Sequence, residues 1–387
     1  MEFLEVIENI RAEEASVQRL FGSEGQGARH GAKSPKYMQK LSEAARLVAD
    51  VMSGKRPAHL LREAMTTSDF PYLFGDILDR QLLAAYQESA ATWPNYAKRN
   101  TVRDFRAIKR FGVYGGDQVL EEVPQDHEYP ISKIDEDTPY SYAVKKLGRK
   151  MPFSWETLIN DDLDALKDIP ERFGRASRRS EEKFATSLFV DANGPHASFY
   201  TGGNANIVTG NPALSITGLQ TAMKVLAAHK DQNGEPIVID VVELVVPPAL
   251  EIDALSILNA TQIWLDPNLS APNKKQSLVT ENWMKSKLHL NVNAYIPIVA
   301  SSANGDTSWF LFANPNNGRP GLEVAFLRGH EEPEIFMKAP NAMRVGGGGM
   351  DAMNGDFDTD SIEYKVRHVL GGSRMDPKMT VASNGSG

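Results

Sequence analysis

Residues 162–190 limit the fold more than any other stretch. Leu166, Ile169, Phe173, Ala176, Phe184 and Leu188 fall on one stripe at helical spacing, and Arg172, Arg175 and Arg179 fall on a second. This is the longest helix the pattern predicts, with Pro170 in its early turns, where a missing N–H costs least. No regular βα alternation follows it. A loop over 195–212 leads to a helix at about 215–229. Then IVIDVVELVV (237–246) is nearly continuous apolar sequence, as in a strand buried on both faces. Pro247 and Pro248 end that strand and start the helix PALEIDALSIL. Residues 287–296 alternate, with Leu288, Leu290 and Val292 on one face and His289, Asn291 and Asn293 on the other. SWFLFAN, LEVAFLRG, PEIFMK and SIEYKVRHVL add further strands. The order predicts an α+β fold and disfavours a doubly wound nucleotide-binding sheet.

Upstream, FRAIKRFGVYG and SYAVKKLGRKMPF read as strands flanking VPQDHEYPISKIDEDTP, a long polar tip. Together they make a protruding hairpin, and an isolated hairpin is marginal in water. Such a feature persists best when it lies on another molecule. Residues 1–21 and 36–53 carry helical stripes joined by the Gly-rich tether 21–35, and a third helix is predicted over about 71–89. Neither of the first two stripes is wide enough to form a core alone.

At 387 residues the chain is long for one compact core and implies two or more subdomains. The formal net charge is -8, so tight wrapping of nucleic acid is not expected. With no cysteine, disulfides and thiolate chemistry are excluded. No apolar run reaches the roughly 18 residues of a membrane span, and MEFLEVIENIRAEE is acidic and amphipathic, unlike a signal peptide.

Phosphate-loop, dinucleotide, zinc-protease and nucleophile-elbow motifs are missing. His330, Glu331 and Glu332 in HEEPE read as a polar turn, because a metal site needs ligands converging from several elements. Asp356, Asp358 and Asp360 alternate as in a calcium loop but lack the Gly and distant Glu of one. Asp161 and Asp162 read as helix capping groups, and Gly346–Gly349 as a turn. His289 and His368 fall on strands as structural residues. No catalytic, cofactor or metal site is assigned. For Arg172, Arg175 and Arg179 two readings stay open: pairing with carboxylates of neighbouring chains or strands, or weak contact with DNA phosphates.

Several segments resemble major capsid proteins of tailed bacteriophages. They are LGRKMPFSWETLINDDLDAL with IPERFGRASRRSEEKFATSLF, ELVVPPALEIDALSIL, and FDTDSIEYKVRHVLGGSRMDPK, spanning roughly 101–378 with gaps. The resemblance implies the Hong Kong ninety-seven type of fold. In that fold 1–70 is an N-terminal arm, 71–100 leads into the peripheral domain, and 101–152 is an extended loop. Residues 153–212 and 322–387 are then the peripheral domain with spine helix 162–190, and 213–321 the axial domain. It further implies self-assembly into hexameric and pentameric capsomers of a virion head around double-stranded DNA, in the bacterial host cytoplasm. Portal, scaffold and decoration proteins are the implied partners. Some members cross-link a Lys to a neighbour's Asn; Lys133, Lys145 and Lys146 lie on or beside the hairpin, and no partner Asn matches a motif. Two other readings compete: an encapsulin-like compartment shell, and a soluble cytosolic hydrolase or binding protein.

Overall fold

The computed structural model describes residues 81–110, 113–114, 122–123, 125, 128, 135–136, 140–154, 163–230, 234, 236–237, 239, 242–265, 278–316, 320–338 and 356–386. The expected α+β class is what these residues form. The arm helices, the Asp161–Asp162 cap, the glycine run at 346–349 and most of the hairpin tip lie outside them. The chain divides into two compact units, each assembled from several segments.

One unit contains 81–90, Lys146–Arg179 and Arg328–Val369. Its core is Leu82, Phe173, Ile362, Tyr364 and Val366, backed by Met151, Ile335 and Met337. The strand Glu334–Met337 pairs antiparallel with Tyr364–Arg367, and Lys145–Ser154 pairs with the same long strand, Ser361–Arg374. Against this sheet lies the start of the long helix, Leu163–Phe189. At Gly174 a Cβ would sit 2.6 Å from the Leu82 carbonyl oxygen, so only glycine lets helical residues 81–88 approach this closely. Arg178 seals that approach. Its guanidinium lies 3.8 Å over the Tyr86 ring, and its Nε donates to the carbonyls of Tyr86 and Ser89. A cation suits this end of the helix, where carbonyls lack partners.

The other unit contains Ala91–Lys145, Ser180–Leu327 and Leu370–Gly387. A four-stranded sheet runs in the order Leu288–Val292, Val242–Val246, Trp309–Ala313, Thr380–Ser383. Both faces are covered. Val242, Leu244, Val246, Trp309 and Leu311 pack into one cluster with the helices Ile216–Ala227 and Glu251–Asn259. Val245, Phe310 and Phe312 pack into another with Trp93, Tyr96, Phe189 and Phe326. Double burial is why these strands read as continuous apolar runs. Ser215 caps the helix Ile216–Ala227 by accepting from the Gly218 N–H at 3.1 Å, the arrangement expected of a serine at that position. Lys98–Val102 pairs in parallel with Glu323–Leu327, a partnership across more than two hundred residues.

One expectation is corrected, and one alternation proves dry on both sides. Pro170 is interior to the helix Leu163–Phe189, beyond its first turn, so its missing N–H forfeits a backbone hydrogen bond. Asn291 and Asn293, set by alternation on the face opposite Leu288, Leu290 and Val292, are buried at 4% and 1% exposure. Asn291 donates to the Thr92 carbonyl, and Asn293 donates to the Tyr96 and Thr186 hydroxyls.

Candidate assembly surface

The hairpin is built from two short ladders. Ile108–Arg110 pairs antiparallel with Tyr140–Tyr142, and Val113–Tyr114 with Asp135–Glu136. Ladders of three and two pairs give little stability of their own. What fastens the base is Glu323, on the strand Leu322–Leu327, at 3% exposure. Tyr142 donates its hydroxyl to Glu323 Oε1. Asn100 Nδ2 donates to the same oxygen at 3.0 Å. Arg110 Nε makes an ion pair with it at 3.3 Å. Burial first, and then the Glu323 carboxylate, hold the Tyr142 phenol far above its usual range, so it stays a donor. One buried carboxylate thus joins both hairpin strands to the sheet.

A second buried acidic pair supports the same unit. Glu182 accepts from the backbone N–H groups of Thr92 and Trp93 and from the Thr92 hydroxyl. Glu181 accepts from the Trp93 indole N–H at 3.1 Å. Burial raises the Glu182 carboxyl above the ordinary glutamate value of 4.5; the donors from Trp93 and Thr92 oppose this, and Glu181 adds to it. The sign follows from linkage. The native state binds this proton more tightly than the unfolded chain. Its stabilising contribution is therefore fully present below the ordinary carboxylate value and is lost as pH rises through the elevated one. Relative to Glu182→Gln, the wild-type subunit is expected to gain stability as pH falls from neutral into the weakly acidic range. Urea midpoints of both proteins across that range test this, and a constant difference between them would refute it.

The residues singled out from sequence are placed as follows. Arg172, Arg175 and Arg179 are all exposed on one face of the long helix. Arg175 pairs at 3.3 Å with Glu171, one turn earlier, rather than with another strand. Lys145 and Lys146 are exposed, and Lys133 lies outside the described residues. In the HEEPE turn, His330 and Arg367 converge on the Glu334 carboxylate. Burial opposes ionisation of Glu334, but His330 and Arg367 outweigh it and hold the carboxyl below its usual range. Asp356 accepts from the Thr359 hydroxyl, the Ser361 N–H, Lys338 and the Thr359 N–H. Those donors, Thr359 first, hold it well below the carboxylate range. Asp358 and Asp360 are exposed, so the three aspartates make a turn and do not converge. His289 pairs with Glu243 at 3.3 Å across adjacent strands. His368 is buried, and its ring stands at 71° to that of Tyr86.

Among the described residues no group of three His, Cys, Asp or Glu side chains could hold a metal ion. No helix among them is long and apolar enough to cross a membrane. Glu181, Glu182 and Glu323 were not singled out from the sequence. For Glu323 the available signal is a charge inside the apolar run LEVAFL, which marks a buried group with committed partners, whereas Glu181 and Glu182 sit in the polar run SRRSEEK and give no such signal.

Residues 137–383 match the family model described as phage capsid protein. That span exceeds half of the chain and defines a class: structural subunits of a virus particle. The chain belongs to the phage capsid protein family and is a major capsid protein, part of the virion shell. Comparison with curated proteins gives no match. Among solved structures, it is similar to the capsid of cyanophage P-SCSP1u at 10% identity and TM-score 0.44, over 76% of this chain and 87% of the other. It is similar to a structure from Gordonia phage Cozz at 12% identity and TM-score 0.43, over 76% and 85%. It is also similar to a virus-like particle from Pyrococcus furiosus at 12% identity and TM-score 0.39, over 80% and 99%.

Proposed function

We propose that this chain builds the icosahedral head of a tailed phage around packaged double-stranded DNA. Copies form hexameric and pentameric capsomers in the cytoplasm of the bacterial host, with portal, scaffold and decoration proteins as partners. Residues 1–70 serve as the arm and 101–152 as the extended loop. The peripheral domain is formed by 153–212 with 322–387, and the axial domain by 213–321. Beside the family membership, the observation that carries this reading is the hairpin at 108–142. It is fastened by Glu323 at its base and continues into a polar tip rich in acidic residues. A monomer gains little from ordering such an element, whereas a lattice of copies gains about 25 cal/mol for each Å² of apolar surface it covers. Many weak contacts then act together.

The net charge of -8 fits a wall that does not grip its cargo. The exposed face of Arg172, Arg175 and Arg179 supplies local positive charge for assembly or DNA retention. Replacing all three by Gln is expected to change subunit stability by no more than about 0.5 kcal/mol, as usual for exposed charges. The same change should lower the yield of filled particles. The full chain, produced with its phage partners, should give closed shells in electron micrographs that hold nuclease-protected duplex DNA. Open sheets or a lasting small species would refute the head-shell reading. Normal filling by the triple variant would leave the arginines as a solvated face only.

A further inference from the structure

The helix Glu251–Asn259 presents an outward face that no other element among the described residues covers. Ala254 and Leu258 point into the core. Ile252, however, is 76% exposed and Leu255 is 41% exposed, one turn apart on the same side. Two aliphatic side chains left in water on a short helix forfeit the burial that normally justifies an apolar residue.

Charge is arranged around this apolar pair with a direction. Glu251 and Asp253, both exposed, occupy the first turn. Lys285 and Lys287, both exposed, lie on the short helix Met284–Lys287. That helix is bound to the far end of the first one: Asn282 Nδ2 donates to the carbonyls of Ile257 and Leu258 at 2.7 and 2.9 Å, and its Oδ1 accepts from the Met284 N–H at 3.0 Å. The surface therefore reads acid then apolar along a helix of nine residues, about 13 Å, with base on the short helix tied to its far end. Among the described residues none of the four charged side chains makes an ion pair.

We propose that this face is a head-to-tail contact between copies of the chain, the acidic end of one meeting the basic end of the next across the Ile252–Leu255 patch. A surface with opposite charges at its two ends is complementary to a translated or rotated copy of itself. Repetition of such a heterologous contact closes into a ring when the rotation permits. The inference rests on the capsid reading, which supplies many identical neighbours, and it adds which surface two of them share.

The test is a charge-exchange cycle on the full-length chain. Variants are Glu251→Lys with Asp253→Lys, Lys285→Glu with Lys287→Glu, all four together, and Ile252→Ser with Leu255→Ser. Shells are quantified by sedimentation and electron microscopy, and the thermal midpoint of the unassembled subunit is recorded for each. Ile252 lies mostly in water, but more than half of Leu255 is covered, so the serine variant's midpoint should fall by no more than a few degrees, and yields are compared at a temperature where every variant stays folded. Each charge pair alone, and the serine variant, should lower shell yield about tenfold or more, because one weakened contact recurs throughout a closed assembly. The fourfold exchange should restore yield to within about twofold, since the attraction is re-formed with signs swapped. Wild-type yield from the single pairs, or a fourfold exchange no better than either pair, would overturn the contact. Shells of normal yield that lose a different virion protein would overturn the second copy as occupant. A wild-type chain that forms no shells would instead sink the capsid reading itself.

Discussion

Glu323→Ala is expected to destabilise the subunit by about 2–4 kcal/mol, most of it by leaving committed partners behind. The Tyr142 hydroxyl, the Asn100 amide and the Arg110 Nε all meet on one oxygen of this side chain. Arg110 Nε is buried and faces the carboxylate at 3.3 Å, with the Tyr142 hydroxyl beside it. Removing a partner from a buried, paired charge costs more than the pair contributes net, because the survivor is stranded. The value stays below the upper range for such pairs because the Arg110 side chain is 36% exposed and part of it can turn to water. The strand cannot slide to close the void. Gly372 crosses so close to the Glu323 backbone that even a Cβ there would overlap its carbonyl oxygen. Glu323→Gln keeps acceptors for Tyr142 and Asn100 but drops the charge, so about 1 kcal/mol is expected. Urea unfolding of the dissociated subunit measures both. A Glu323→Ala midpoint equal to that of the wild type would show that the hairpin base is held by something else. A double-mutant cycle with Tyr142→Phe should return coupling of about 1 kcal/mol or more, as for residues in one network.

How legible this was in the sequence depends on what each pattern encodes. The long helix was visible because Phe173, Phe184 and Leu188 recur at its period, and the structure runs it over Leu163–Phe189. Trp309–Ala313 and Leu322–Leu327 were visible as strands because every residue in both is buried. Periodicity says which residues share a side; it does not say which sides are dry. Alternation sets Asn291 and Asn293 opposite Leu288 and Leu290, but it cannot show that amide hydrogen bonds let them sit inside. The same blindness hid Ser177, Glu181 and Glu182 on the buried face of the long helix, while Ala176, assigned to the apolar stripe, is exposed. Long-range pairing leaves no local trace either. Nothing in KRNTV announces a parallel partner at Glu323–Leu327. Glu323 passed as one polar residue in LEVAFLRG, because its significance lies entirely in Arg110, Tyr142 and Asn100, which arrive from distant segments.

Excising residues 118–132, which leaves both hairpin ladders in place, is expected to abolish shells while the subunit stays folded. The segment carries Glu121, Glu122, Asp126 and Glu128 together with Val119, Leu120 and Ile131, a mixture suited to covering another surface. Two roles make opposite predictions. A segment that serves its own chain should take stability with it when removed. A segment that serves neighbours should cost its own subunit nothing, and shortening the loop should even add about 1 kcal/mol through a smaller closure entropy. The thermal midpoint of the unassembled protein separates these directly, and sedimentation with electron microscopy reads assembly. The expected pair of results is a midpoint equal to or above the wild type, with shells absent. Loss of both folding and shells would assign the tip to its own subunit. Full shells from the shortened chain would leave the hairpin without a part in the lattice, because a contact repeated at every position cannot be deleted everywhere without consequence.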